Sequence, residues 1–209
     1  MRVVFPLQFI AGFALLLPGT FPVLAETVPA PAVPTECDRL AAHPSDPDKL
    51  TEGVPTAQVR GWNDAAIWSC RQAVTRDAGD ARQRYQLGRA LFYAGERKEA
   101  LEQLAISAAA KYRQAQFVLG LMHTDGIPDL MEADSCAAME LWRDAATRGH
   151  FAARVALGRD WVRGSYRQCD SPPTAAQVDG WLASARSEST DYYQRLLIDW
   201  ARETLAATR

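Results

Sequence analysis

The sequence predicts an all-α solenoid, with helix pairs stacked in a row between capping helices. Three observations predict it. The stretches 84–95, 115–126 and 153–164 each carry a Leu-Gly pair: Leu87-Gly88, Leu119-Gly120 and Leu157-Gly158. Each ends in a glycine six or seven residues later, Gly95, Gly126 and Gly164. The pairs are spaced by 32 and 38 residues, and self-similarity at such a period marks a helical repeat. Each echo is then followed by an alanine-rich stretch whose small and apolar residues recur at i, i+3 and i+4, the rhythm of a helix face.

Taken in order, the chain begins with Arg2, an apolar run broken by Pro6 and Pro18, and small residues at Val23 and Ala25. This is the pattern of a signal peptide over residues 1–25, cut after Ala25. The uninterrupted apolar stretch is short for a bilayer span of about 20 residues. No later segment could span a membrane either. Residues 26–36, rich in proline, read as an extended linker. The folded domain is expected over 37–209, as a cap (37–80), three repeats (about 81–112, 113–150 and 151–190) and a C-terminal capping helix (191–209).

Within the first cap, Val59, Trp62, Ala66, Cys70, Ala73 and Val74 follow helical spacing, which predicts one helix with Thr56 as its cap. The second helices of the repeats show stripes at Ala100, Leu104 and Ala108; at Ala138, Trp142, Ala145 and Ala146; and at Trp181 and Ala185. The last helix, from Asp191, places Leu196, Leu197, Trp200 and Leu205 inward. About eight helices result. Gly120 sits in mid-helix, where glycine costs roughly 1 kcal/mol relative to alanine. It is expected to let the second helix of its pair approach the backbone, while Gly126 ends the helix in a left-handed cap.

Four cysteines follow the leader: Cys37, Cys70, Cys136 and Cys169. An even number in an exported chain indicates two disulfides, with three pairings possible. The spacing favours Cys37–Cys70 and Cys136–Cys169, each 33 residues apart. No CxxC pair supports zinc. Removing the leader with its Arg2 leaves 22 basic against 25 acidic residues, a net of −3. Nothing in that balance favours nucleic acid. The expected compartment is periplasmic or secreted.

The segment "AQFVLGLMHTDG" followed by "AAMELWRDAATRGH" resembles a Sel1-like repeat, a cousin of the tetratricopeptide repeat. "YQLGRALFYAGERKEALEQL" is more similar to a tetratricopeptide unit, and the third unit, with Gly180 and "SARSE", is degenerate. The resemblance covers residues 81–190. It implies a right-handed α-α superhelix of about three helix pairs with N- and C-terminal caps, whose first helices line a concave groove. In register, that groove takes Arg82, Tyr85, Arg89 and Phe92 from the first unit. The second supplies Phe117, Leu121 and Asp125, and the third Val155, Arg159 and Arg163. Arginines among aromatics suit an extended peptide or a carboxylate end. The implied role is non-enzymatic: an adaptor or regulator in the cell envelope with a protein or peptide partner. A second role implied by cysteine-rich Sel1 proteins is a hydrolase-like action on, or binding of, peptidoglycan fragments or β-lactams, although this chain lacks their cysteine pair in every repeat.

No catalytic motif emerges. GxSxG, HExxH and phosphate-binding glycine loops are absent from the sequence, and Ser165 has no identifiable base. No cofactor or metal is expected. His123 and Asp125 read as helix-end polar residues, His150 as a turn residue after Gly149, and His43 as a loop residue. Of the six tryptophans, Trp68 and Trp161 fit their stripes least and are the candidates for exposed contacts.

Overall fold

A computed structural model of the chain describes residues 32–208. The expected signal peptide and residues 26–31 of the expected linker lie outside the described residues. Ten helices follow one another: α1 (Glu36–Ala41), α2 (Thr56–Gly61), α3 (Asn63–Arg76), α4 (Ala81–Ala94), α5 (Arg97–Ala109), α6 (Arg113–Asp125), α7 (Ser135–Thr147), α8 (Phe151–Val162), α9 (Ala175–Glu188) and α10 (Tyr192–Ala207). Among the described residues the only extended pairing is an isolated bridge between Ile127 and Met131. From α3 onward each helix packs on the next, and α10 also returns to α8.

Local chemistry sets the helix starts. Asp80, Asp134 and Asp191 each accept backbone N–H groups of the turn they precede, at α4, α7 and α10. Thr35 with Asp38, and Thr174 with Gln177, form reciprocal capping boxes at α1 and α9. These side chains satisfy donors that the first turn leaves without intrahelical partners.

The Leu-Gly echoes have one cause. A Cβ built at Gly88 would lie 2.8 Å from the Leu104 side chain, one at Gly120 2.2 Å from the Trp142 indole, and one at Gly158 2.5 Å from Leu182. In all three pairs a large residue of the second helix fills the space that the glycine leaves on the first. Trp142 is fully buried there and donates its indole N–H to the Phe117 carbonyl at 2.9 Å. Gly126 differs from expectation. Its φ is +70° but its ψ is 176°, so it does not close a left-handed cap; it sends the chain into the 127–134 loop. The αL cap is found at Gly95, with φ 91° and ψ −2°.

The expected single helix after Thr56 is two helices. The chain breaks at Trp62, whose indole N–H donates to the Leu40 carbonyl at 3.1 Å. Thr56 is the first helical residue of α2, and no side chain caps that helix. With α1, this split raises the expected eight helices to ten. In α10 the inward stripe is Ile198, Ala201 and Leu205. Leu196, Leu197 and Trp200, expected inward with Leu205, are 55%, 37% and 41% exposed. The i, i+3, i+7 stripe facing α8 and α9 starts at Ile198.

Cys37 is bonded to Cys70 and Cys136 to Cys169, with Cα–Cα distances of 4.6 and 5.4 Å. The first bond ties α1 to α3. The second ties the start of α7 to the loop between α8 and α9. No helix among the described residues is long and apolar enough to cross a membrane.

Candidate interaction face

The first helices of the three pairs share a face. Phe117 of α6 stacks on His150, the residue that caps α8, at 4.9 Å between centroids. Asp125 of α6 lends its field to Arg159 of α8. Residues of α4 and α6 together line one cavity of about 280 Å³.

The chain's own N-terminal arm, residues 35–55, occupies the start of this face. Arg89 of α4 is 5% exposed. Its Nη1 donates to the carbonyls of Ala41 and Ala42, both at 3.0 Å, and its Nη2 to that of Val54 at 2.7 Å. Three carboxylates of the arm dock alongside. Buried Asp38 accepts from Gln83 at 3.0 Å and Gln86 at 2.9 Å and lies 3.2 Å from the Arg82 guanidinium. Burial alone would raise its pKa. The bonds from Gln86 and Thr35 and the charge of Arg82 outweigh that and hold it below the ordinary carboxylate value. Asp46, also fully buried, accepts from the Tyr112 hydroxyl at 2.7 Å, yet burial dominates and raises its pKa. Asp48 takes both an Nε (2.9 Å) and an Nη (2.5 Å) of Arg113.

The ten groove residues expected from sequence therefore divide. Tyr85, Arg89, Phe92, Phe117 and Leu121 converge on the cavity. Tyr85 is 1% exposed, its ring 5.6 Å from that of Tyr112. Arg82 is spent on Asp38 and Asp80. Arg159 is held by its neighbour Asp160, at 2.6 and 3.0 Å. Val155 packs half-buried against the core of the α7–α10 region. Asp125 and Arg163 are exposed, and Arg163 sits 5.9 Å from the centre of the Trp200 ring. The cavity also takes His43, Tyr93, Gln114, Val118 and Met122, which sequence reasoning did not assign. Gln114, Val118 and Met122 share a face of α6 at i, i+4 and i+8, so their spacing could have shown them. His43 arrives through the arm, and no local pattern announces it.

His150 is not a turn residue. It is 2% exposed and caps α8, its Nδ1 accepting from the Ala153 N–H at 3.1 Å. Nε2 therefore carries the proton and donates to Gln114 Oε1 at 2.9 Å. Burial, helped by the Arg113 charge, lowers its pKa to about 4. His43 is lowered to about 4 as well, by burial first and then by the charges of Arg89 and Lys49. Of the tryptophans expected to be exposed, Trp68 is (67%). Trp161 is half-buried and donates to the Pro173 carbonyl at 2.7 Å.

No sequence-family profile matches this chain, and no curated protein is similar to it. Among solved structures, the chain is similar to a Sel1 repeat protein from Oxalobacter formigenes. The two share 20% identity with a TM-score of 0.51, over 64% of this chain and 98% of that one. At that identity the likeness is one of fold: consecutive helices packed as in a Sel1 repeat solenoid.

Proposed function

We propose that this chain is an exported, non-enzymatic repeat protein that binds another polypeptide on the face shared by α4, α6 and α8, as an adaptor or regulator in the cell envelope. One observation carries the reading. The face already holds polypeptide backbone, the two ends of its own turn-rich loop 42–54, through arginine-to-carbonyl bonds that need no particular side chain on the bound segment. Two disulfides fit an oxidising compartment outside the cytoplasm. The helical-repeat fold supports a binding role, because stacked pairs present a continuous surface for partners.

The test is a cross-linking pull-down of the tagged, exported chain with mass spectrometry. Leu121→Glu and Arg163→Glu alter exposed positions on this face without touching the seat of the arm. A partner that wild type captures and both variants lose supports the reading. Equal capture of every partner by all three ends it.

A further inference from the structure

We infer that the cavity between α4 and α6 is a pocket for a compact aromatic or branched apolar group that carries a carboxylate. This rests on the interaction face proposed above and names the chemistry that its pocket recognises. Phe92, Phe117, Val118, Leu121 and Met122 provide the apolar walls of a space of about 280 Å³, and an apolar body gains from leaving water there. The anionic part follows from two guanidinium groups around one ring. Arg89 lies 5.7 Å and Arg60 5.2 Å from the centre of the Tyr93 ring, which is itself part of the cavity wall.

Neither arginine has a carboxylate partner among the described residues. Arg89 is buried; its Nη groups meet the carbonyls of Ala41, Ala42 and Val54, and the side chain also donates to the Tyr93 hydroxyl. Those satisfy donors but supply no net negative charge. Its Nε is buried without a hydrogen-bond partner. The Asp46 carboxylate acts on Arg89 only through its field, with no ion pair between them; a desolvated cation so thinly compensated is costly, and a carboxylate is the anion that a guanidinium matches. The charge reaches the cavity, because it helps to keep His43 of the same wall neutral. Every other cation docked with the arm has its acid: Arg82 has Asp38 and Asp80, and Arg113 has Asp48. Arg60 on α2 is exposed and completes the positive end from the solvent side.

Such a group is either a free small acid or the C-terminal residue of a partner chain, and one titration series separates them. The whole chain is titrated calorimetrically with N-acetyl-phenylalanine, with its carboxamide, and with an octapeptide ending in phenylalanine, free or amidated at its C-terminus. The variants are Arg60→Gln and Leu121→Trp. Both positions are exposed, and thermal melts check that the fold is kept. The acid is expected to bind about ten-fold tighter than the carboxamide. Arg60→Gln is expected to weaken the acid several-fold and leave the carboxamide unchanged. Leu121→Trp, which fills the pocket, is expected to abolish both. A free-ended peptide that outbinds the small acid assigns the pocket to chain ends. The reverse order assigns it to a small metabolite. Equal binding of acid and carboxamide, no binding of any probe, or full binding by Leu121→Trp would overturn the inference. Partner capture by the Leu121→Trp chain at the wild-type level would remove the pocket while leaving the wider face its role.

Discussion

At its N-terminal end the stack is closed by an arm that is bonded through Cys37, carries two fully buried carboxylates and reaches past α4 to Tyr112 and Arg113 of the second pair. At the other end of the described residues lies α10. Tyr192, Tyr193, Leu196 and Trp200 stand 69%, 77%, 55% and 41% exposed. The two regions treat their outer helix sides in opposite ways, one covered by the arm and one with apolar side chains exposed. The N-terminal solution uses polar groups, most of them met by a specific partner, and covers part of the proposed interaction face as it does so. The comparison teaches that the arm is more than a lid over apolar surface: it determines which part of the face remains open.

The strongest way to break this contrast is Arg89→Met. It removes three bonds to buried carbonyls and leaves those of Ala41 and Val54 without this donor, while Ala42 keeps its bond from the Val54 N–H, and we expect a loss of about 3–5 kcal/mol in urea unfolding. Trp200→Gln at the other end is expected to change stability by less than about 0.5 kcal/mol. The disulfides sharpen the contrast further. Both close loops of the same sequence separation, 33 residues, so chain entropy assigns each about 3–4 kcal/mol. Replacing Cys37 and Cys70 by serine is expected to cost more than replacing Cys136 and Cys169. It should also raise hydrogen exchange across residues 41–54, whereas the second pair should leave that segment protected.

A pH titration comes next in size. The imidazoles of His43 and His150 are held neutral in the fold to about pH 4, against an ordinary value of 6.5. The stabilisation is complete above about 6.5 and is lost as pH falls towards 4, because the unfolded chain takes up protons there first. Buried His150 contributes on the order of 3 kcal/mol, and part-exposed His43 less, because solvent screens it. His150→Asn keeps a capping side chain and should flatten the chemical-denaturation profile between these limits. A wild-type curve that is flat over that window would contradict the burial of both rings. The smallest expected effect lies in α9. Gly180 in α9 has nothing within 4 Å of an added Cβ, so Gly180→Ala should gain about 0.4–1 kcal/mol. Gly158→Ala, which drives a methyl against Leu182, should lose about 1–3 kcal/mol.

How much of this was legible depended on the distance over which the signal acts. Gly88, Gly120 and Gly158 announced the helix pairs because each contact joins neighbouring helices and recurs with the period. The cysteine spacing pointed to the pairing found. The arm was invisible, since its bonds join residues 35 to 66 positions apart and α1 is only six residues long. Arg89 read as a groove residue on register alone; its task is set by carbonyls that no side-chain pattern encodes. In α10 the apolar residues 196, 197 and 200 read as inward, whereas the side that meets α8 and α9 carries Ile198, Ala201 and Leu205, a choice that depends on how α10 docks rather than on its own pattern.

The seat of Asp46 at Tyr112 has a kinetic consequence. The arm is synthesised before every helix that receives it, and its anchor points on α4 and α6 exist only after about two further helix pairs have formed. Contacts of such separation close late, since loop entropy must be overcome before they reward the chain. Cys70 is made 42 residues ahead of Tyr112, so the Cys37–Cys70 bond can form while the seat is still incomplete. Once formed, it turns the docking of residues 41–54 into a short-range search at high effective concentration. Formation of one disulfide thereby shortens the search by which the arm finds its seat on α4 and α6.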